Sequence, residues 1–137
     1  GYRFTQIDER IYWLCKASKR EKLPRRSVNY GSVWKFPPEM TNPHPAPYPI
    51  ILPLRCIQAV MGESGVILDP YSGSGTTGLA ATLLGHDYIG FDLSEEYHEM
   101  ARKRIENPSS SDIRKFGLEC NVGAFSETDV FSISSSS

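Results

Sequence analysis

GVILDPYSGSGTTGLAATLLGHDYIGFDLSEEYHEMARKRIE, residues 65–106, decides the fold of this 137-residue chain. Residues 65–69 form a short apolar run of the kind found in a parallel strand covered on both faces, and residues 87–92 predict the next strand. Residues 76–85 predict a helix, and Ser94 predicts the N-cap of a second one. The order strand, glycine loop, helix, strand, helix predicts a β-α-β-α unit with a right-handed crossover, and hence an α/β fold.

The composition is that of one ordinary globular domain, with 39% hydrophobic residues, 23% charged residues and a net charge of -1. The overall charge therefore indicates no particular partner. The three cysteines lie far apart, without metal-ligand spacing, and predict reduced thiols in a cytoplasmic protein. No apolar run is long enough to predict a membrane span.

Outside the β-α-β-α unit the signals are weaker. Residues 10–16 and 31–36 are rich in aromatic and β-branched residues and predict two short strands. Residues 37–53 contain seven prolines and predict irregular backbone, and residues 52–62 predict a helix. The serine-rich end, residues 123–137, predicts a disordered tail.

The loop after the first predicted strand contains Gly73, Gly75 and Gly78 in the order G-x-G-x-x-G, and Asp92 ends the second strand. That pattern is the dinucleotide fingerprint, in which the acid binds ribose hydroxyls. Asp69 stands directly before the loop, where its carboxylate would repel a pyrophosphate. S-adenosylmethionine suits all three groups, because it offers a ribose to Asp92, an α-ammonium to Asp69 and a carboxylate to the loop amides.

Other interpretations of the loop are less favoured. Only 45 residues follow Asp92, which we expect to be too few for the remaining strands of a dinucleotide domain. No lysine follows the glycines to reach the phosphates of a nucleoside triphosphate. Asp69 could instead accept hydrogen bonds from the amides of Ser72 or Gly73, alone or while it binds a ligand. Asp92 could be a helix N-terminal acid, although Ser94 is the better cap.

Several stretches together resemble the DNA amino-methyltransferases. DPYSGSGTTGLAA resembles motif I of that family, HPAPYP (His44–Pro49) its motif X, and YIGFDLSEEYHEMARKRI its motif II. RFTQIDERIYWLCKASK is similar to the stretch that follows the family's catalytic half. The order X, I, II resembles the β-class arrangement, in which the catalytic half and the target-recognition region come first. The resemblance covers residues 3–107.

This resemblance implies a partial Rossmann-like fold of the S-adenosylmethionine-dependent methyltransferases, with parallel strands, crossover helices and an N-terminal strand and basic loop. It implies methyl transfer from S-adenosylmethionine to the exocyclic amino group of adenine (N6) or cytosine (N4) in double-stranded DNA. The residues implied to bind the cofactor are Pro47, Tyr48, Asp69, Tyr71, Ser72, Gly73, Ser74, Gly75, Thr76 and Asp92. No metal is implied.

The family's catalytic tetrapeptide is absent from this sequence. That tetrapeptide is an acid, serine or asparagine, then two prolines and an aromatic residue, and it binds the extruded base. The Pro-Pro pair in KFPPEM follows Phe36 and precedes Glu39, so it does not match. We therefore expect this chain to bind the cofactor without methylating. The catalytic half would be a missing N-terminal part or a second chain.

A basic segment, residues 16–26, suits DNA because it could neutralise several phosphates. Its six cations are Lys16, Lys19, Arg20, Lys22, Arg25 and Arg26, with Glu21 as the single acid. A solvated surface loop explains the same run, and RNA fits it as well as DNA does. Trp13 and Trp34 flank the segment, and we expect both in the core.

We therefore divide the chain into three parts. Residues 1–36 would end the catalytic and target-recognition region, residues 37–122 would form the cofactor-binding α/β part, and residues 123–137 the tail. Two alternatives stay open: a non-catalytic subunit that binds nucleic acid or cofactor, and a methyltransferase acting on RNA. The sequence distinguishes neither adenine from cytosine nor one DNA site from another.

Overall fold

A computed structural model describes residues 9–14, 31–37, 39 and 48–120 of the chain. The elements in chain order are α1 (Ile51–Val60), β1 (Val66–Asp69), α2 (Thr76–Leu83), β2 (Asp87–Gly90), α3 (Glu95–Glu106) and α4 (Ser110–Cys120). The basic segment, Pro47 and the predicted tail lie outside the described residues. No helix within the described ranges is long and apolar enough to cross a membrane.

The two described strands lie side by side and parallel, with Ile67 opposite Tyr88 and Asp69 opposite Gly90. Helix α2 is the connection between them, as predicted. Because both strands run in the same direction, their carboxyl ends meet at one edge, where the glycine loop and Asp92 follow. The predicted α/β fold with parallel strands is thus confirmed for this part of the chain.

The hydrophobic core lies on one face of the sheet. Leu54 and Ile57 of α1, Leu79 of α2 and Phe116 of α4 form a buried cluster, against which Ile67 packs. The cluster also contains Ile50, Ala80 and Ala81, with Tyr88 and Ile105 packed at its margin. Helix α2 packs directly on both strands, and α1 and α4 complete the cluster behind it.

On the opposite face of the sheet, the described residues leave apolar side chains exposed, so the cover that the sequence predicts on both faces of β1 stays a prediction. Val66, Leu68 and Ile89 point to that side and are 55%, 62% and 48% exposed. Phe91 and Leu93 continue the apolar surface beyond β2 and are also exposed. We call these five residues the open sheet face. In the described part of the chain, no element packs on them.

Helix boundaries follow the capping chemistry of the sequence. Pro53 is the third residue of α1, where the missing amide hydrogen breaks no helical hydrogen bond. Ser94 caps α3, since its Oγ accepts a hydrogen bond of 3.3 Å from the backbone amide of Tyr97. Gly85 follows α2 with a φ of 78°, the left-handed geometry that ends many helices.

Two predicted strands are wrong in their described residues. Residues 10–14 and 31–36 are irregular, because β-propensity forms a strand only where a neighbouring strand supplies hydrogen bonds. Trp13 is exposed, contrary to expectation, and Trp34 is half-buried. The Trp34 indole donates to the Gly31 carbonyl at 2.7 Å, and the Arg55 guanidinium lies 5.8 Å from its ring centre.

Candidate functional site

The glycine loop joins β1 to α2 through two residues with left-handed backbone. Gly73 has a φ of 49° and Gly75 a φ of 74°, values that other residues rarely adopt. Gly75 is also the N-cap of α2, and a Cβ there would lie 2.7 Å from the Cβ of Ala101 on α3. A side chain at this position would therefore push α3 away from the loop.

The third glycine serves packing. A Cβ on Gly78 would lie 2.5 Å from Cε1 of Tyr88 and 2.6 Å from Cδ1 of Ile105. Helix α2 can approach β2 and α3 this closely only because Gly78 has no side chain. The spacing of the fingerprint thus has separate causes: backbone conformation at the first glycine, conformation and packing at the second, and packing at the third.

Asp92 ties the loop to the end of β2. Its Oδ2 accepts a hydrogen bond of 2.8 Å from the Gly73 amide, and its Oδ1 accepts one of 2.9 Å from the Ser94 amide. One bond is local and the other spans 19 residues, so the acid holds the loop and the start of α3 together. A carboxylate has about four lone-pair sites, so one such side chain can accept several hydrogen bonds at once.

Asp69 ends β1 and lies at the same edge of the sheet. Its Oδ1 accepts from the Tyr71 amide at 3.0 Å, where the sequence suggested Ser72 or Gly73 as donors. The Ser72 amide instead donates to the Phe91 carbonyl at 2.8 Å. Oδ2 of Asp69 receives no hydrogen bond from the described residues, so a cationic group could bind it.

Two tyrosine hydroxyls hold residues of the loop and of α2. Tyr88 on β2 shares a hydrogen bond of 2.8 Å with Ser72, and Tyr48 shares one of 2.6 Å with Thr77. Burial raises the pKa of both phenols above the ordinary tyrosine value, although these hydrogen bonds lower it in part. Both phenols are therefore neutral at physiological pH and available as donors.

Most of the loop side chains point into the protein. Ser72, Ser74 and Thr76 are buried, whereas Tyr71 is exposed. Below the loop, Nη1 of Arg104 donates to Oγ1 of Thr76 at 2.9 Å. The sequence indicated Arg104 only as a cation in the last turn of α3, and a partner 28 residues away in the chain leaves no local signal.

The structure brings most of the predicted cofactor residues to one edge of the sheet: Tyr48, Asp69, Tyr71, Ser72, Gly73, Ser74, Gly75, Thr76 and Asp92. The edge presents backbone amides between two carboxylates. Among the described residues, no group of three His, Cys, Asp or Glu side chains could hold a metal ion. Because this edge presents backbone amides and two carboxylates, it suits a ligand with hydroxyl, ammonium and carboxylate groups.

Comparisons with known proteins identify the family to which this sequence belongs. The DNA methylase family matches residues 2–103, and the chain belongs to that family. It is 38% identical over 120 residues to the Type II methyltransferase M2.DpnII of Streptococcus pneumoniae, a match that covers 75% of this chain and 44% of the relative. It is 35% identical over 119 residues to the Type II methyltransferase M2.LlaDCHI of Lactococcus lactis subsp. cremoris, covering 74% of this chain and 43% of the relative.

Among solved structures, the chain is similar to a crystal structure of an M1.HpyAVI–SAM complex, with 33% identity and a TM-score of 0.46. That match covers 56% of this chain and 41% of the other. The chain thus spans less than half the length of these relatives.

Proposed function

We propose that this chain is the cofactor-binding part of a DNA methyltransferase that uses S-adenosylmethionine. The observation that carries the proposal is the pair Asp69 and Asp92, which end adjacent parallel strands on either side of the glycine loop. Two carboxylates there would repel a pyrophosphate and suit an ammonium and a ribose. Relatives named Type II methyltransferases support the same conclusion.

Each group at the edge of the sheet has a part in holding the cofactor. Asp69 would bind the α-ammonium through Oδ2, and Asp92 would accept from the ribose hydroxyls. The loop amides and the positive end of α2 would hold the α-carboxylate. Pro47 and Tyr48 would cover the methionine end, and the Tyr48–Thr77 hydrogen bond supports a position beside α2.

The cofactor supplies a methyl group already activated on a sulfonium, so this chain mainly contributes position. The extruded base would approach with its exocyclic nitrogen in line with the carbon–sulfur bond. The residues of this chain would hold that bond in position and would take no part in the proton chemistry. Contacts to that amino group belong to the tetrapeptide, which this sequence lacks.

The substrate would be double-stranded DNA, with adenine N6 or cytosine N4 as the methyl acceptor. The basic segment would contact phosphates, giving binding that weakens with salt. Residues 1–36 would be the end of the catalytic and target-recognition region with the basic segment, residues 37–122 the cofactor-binding part and residues 123–137 the tail. A cytoplasmic location follows from this function, since both substrates are there.

The partner would be a polypeptide segment that carries the tetrapeptide and the rest of the sheet. The open sheet face supports this proposal, because a parallel sheet normally has both faces covered. The absent tetrapeptide also favours a second candidate, a subunit that binds cofactor and nucleic acid without catalysis. Methylation by the chain together with the unmatched segment of a relative would exclude that candidate.

The first experiment measures S-adenosylmethionine binding by calorimetry, with NAD as the competing ligand. We expect binding of S-adenosylmethionine only. Asp69→Asn should weaken it about tenfold or more, the size of one lost charge-assisted interaction. Asp87→Asn is the matched control, because Asp87 is exposed at the other end of β2. Binding of NAD, or equal effects of the two substitutions, would refute the proposed site.

A further inference from the structure

We propose that Arg104 is a positioning residue for the cofactor loop and that Asp112 of α4 holds it in place. The part that concerns cofactor affinity rests on the proposed function. The part that concerns the loop itself does not. Neither residue lies in the loop, and the two come from different helices.

One side of the Arg104 guanidinium faces the start of α2. Nη1 donates to Oγ1 of Thr76 at 2.9 Å and reaches Oγ of Ser74 at 3.5 Å. Thr76 is the first residue of α2 and directly follows Gly75, which has left-handed backbone. Thr76 is only 2% exposed, so its hydroxyl contacts the interior of the protein and not the solvent.

The other side of the guanidinium faces α4. Nη2 donates to Oδ1 of Asp112 at 2.9 Å, and Nε lies 3.4 Å from Oδ2. Oδ2 also accepts 2.8 Å from the Ser109 hydroxyl, whose oxygen accepts from the Asp112 amide at 3.1 Å. Asp112 is therefore held by the N-terminus of α4 and in turn orients Arg104.

Burial makes this arrangement stiff. The side chains of Arg104 and Asp112 are 17% and 9% exposed, so neither can leave its partner without losing a buried charge pair. The guanidinium thus has one favourable position, and Thr76 is bonded to it. Nearer the start of the loop, Asp92 accepts a hydrogen bond of 2.8 Å from the Gly73 amide. The loop is consequently fixed at both of its ends, with its amides oriented before a ligand arrives.

Helix α3 also provides an internal control. Arg102 makes four hydrogen bonds to Glu99 and Glu106, as many as Arg104 makes to its own partners. Its side chain is 51% exposed and all these partners are on α3 itself. An exposed pair of this kind contributes little and touches nothing in the loop. Arg102→Met removes the same charge from the same helix as Arg104→Met.

The test compares Arg104→Met, Arg104→Lys and Thr76→Val with Arg102→Met. Hydrogen exchange of the amides of residues 73–76, without ligand and well below the unfolding temperature, reports loop order. We expect exchange to accelerate about tenfold when the hydrogen bond to Thr76 is lost, and to stay unchanged in Arg102→Met. S-adenosylmethionine affinity should fall by a similar factor in the same three variants and not in the control.

Thr76→Val keeps the test decisive if Arg104→Met does not fold, since it leaves the buried ion pair intact. The double variant Thr76→Val with Arg104→Lys separates positioning from direct ligand contact. Positioning predicts that the second substitution adds little to the first, whereas independent contacts would add. Unchanged loop exchange, or additive losses of affinity, would overturn the proposal. If the wild-type chain binds no cofactor, the proposed function fails while the exchange result still decides the role of Arg104.

Discussion

At Gly78, α2 lies very close to its neighbours β2 and α3. An added Cβ would be 2.5 Å from the Tyr88 ring and 2.6 Å from Ile105. Alanine normally favours a helix, but here overpacking should outweigh that gain, at a cost of about 1–3 kcal/mol. We expect Gly78→Ala to lower the free energy of unfolding by that amount, measured by urea denaturation.

Gly117→Ala is the matched control for Gly78→Ala. Gly117 also lies in a helix, α4, but a Cβ there would meet nothing within 4 Å. The substitution should therefore stabilise the chain by about 0.5–1 kcal/mol through helix propensity. The same chemical change is thus expected to have opposite signs at the two positions. A stabilising Gly78→Ala would mean that Tyr88 and Ile105 can move aside at little cost.

At the residue scale, the sequence located the local features of the site and missed the distant ones. The glycines, Asp69 and Asp92 could be found because loop conformation and strand ends leave short-range patterns. Arg104 and Tyr88 could not, because their roles depend on partners 28 and 16 residues away. Their types and spacings are those of an ordinary helix-terminal cation and an ordinary strand aromatic.

Among the elements, α4 begins at a side-chain cap, Ser109, which the sequence analysis does not predict. The Ser109 carbonyl accepts the first helical hydrogen bond, from Ile113 at 3.0 Å, and its hydroxyl accepts from the Asp112 amide. Ser109→Ala should therefore cost about 1 kcal/mol of unfolding free energy. Thermal and urea unfolding measure this loss.

Ser110→Ala provides the comparison for Ser109→Ala. Ser110 is the exposed first residue of α4, one position beyond the cap, and its replacement should change stability by less than about 0.5 kcal/mol. Equal effects of the two substitutions would show that Ser109 is not an effective cap. Because Ser109 also holds Asp112, its loss should loosen the Arg104 contact as well.

The success of prediction differed between elements for a physical reason. The sequence predicts helices α1 to α3 and both strands because periodicity, caps and short apolar runs are local signals. Residues 109–112 begin α4 with a serine, two residues and an acid, but they follow Pro108 in a serine run that resembles a loop. Residues 10–14 and 31–36 have β-propensity without a strand to pair with in the described part of the chain.

On the scale of the whole molecule, the cofactor edge and the open sheet face differ in how far the described residues hold and cover them. Arg104 of α3, Asp92 and Tyr88 hold the edge through hydrogen bonds to residues of the loop and of α2. The open sheet face has apolar side chains that the described helices leave uncovered. The loop is therefore held within the described residues, and the proposed partner would cover the open sheet face.

The last prediction tests whether that face receives the proposed partner. The probe is the segment of the Streptococcus pneumoniae relative that lies outside its match to this chain. Leu68→Asp or Ile89→Asp should weaken association with the probe about tenfold or more, because each removes a large apolar side chain from the interface. Leu118→Asp should not, since Leu118 is also exposed but lies on α4, away from the strands. Sedimentation measures the three affinities, and both sheet variants should also lose any methylation that the wild-type pair shows.

Equal weakening by Leu118→Asp would place the partner elsewhere. Unaltered association in all three would mean that the open sheet face is covered by another part of the protein.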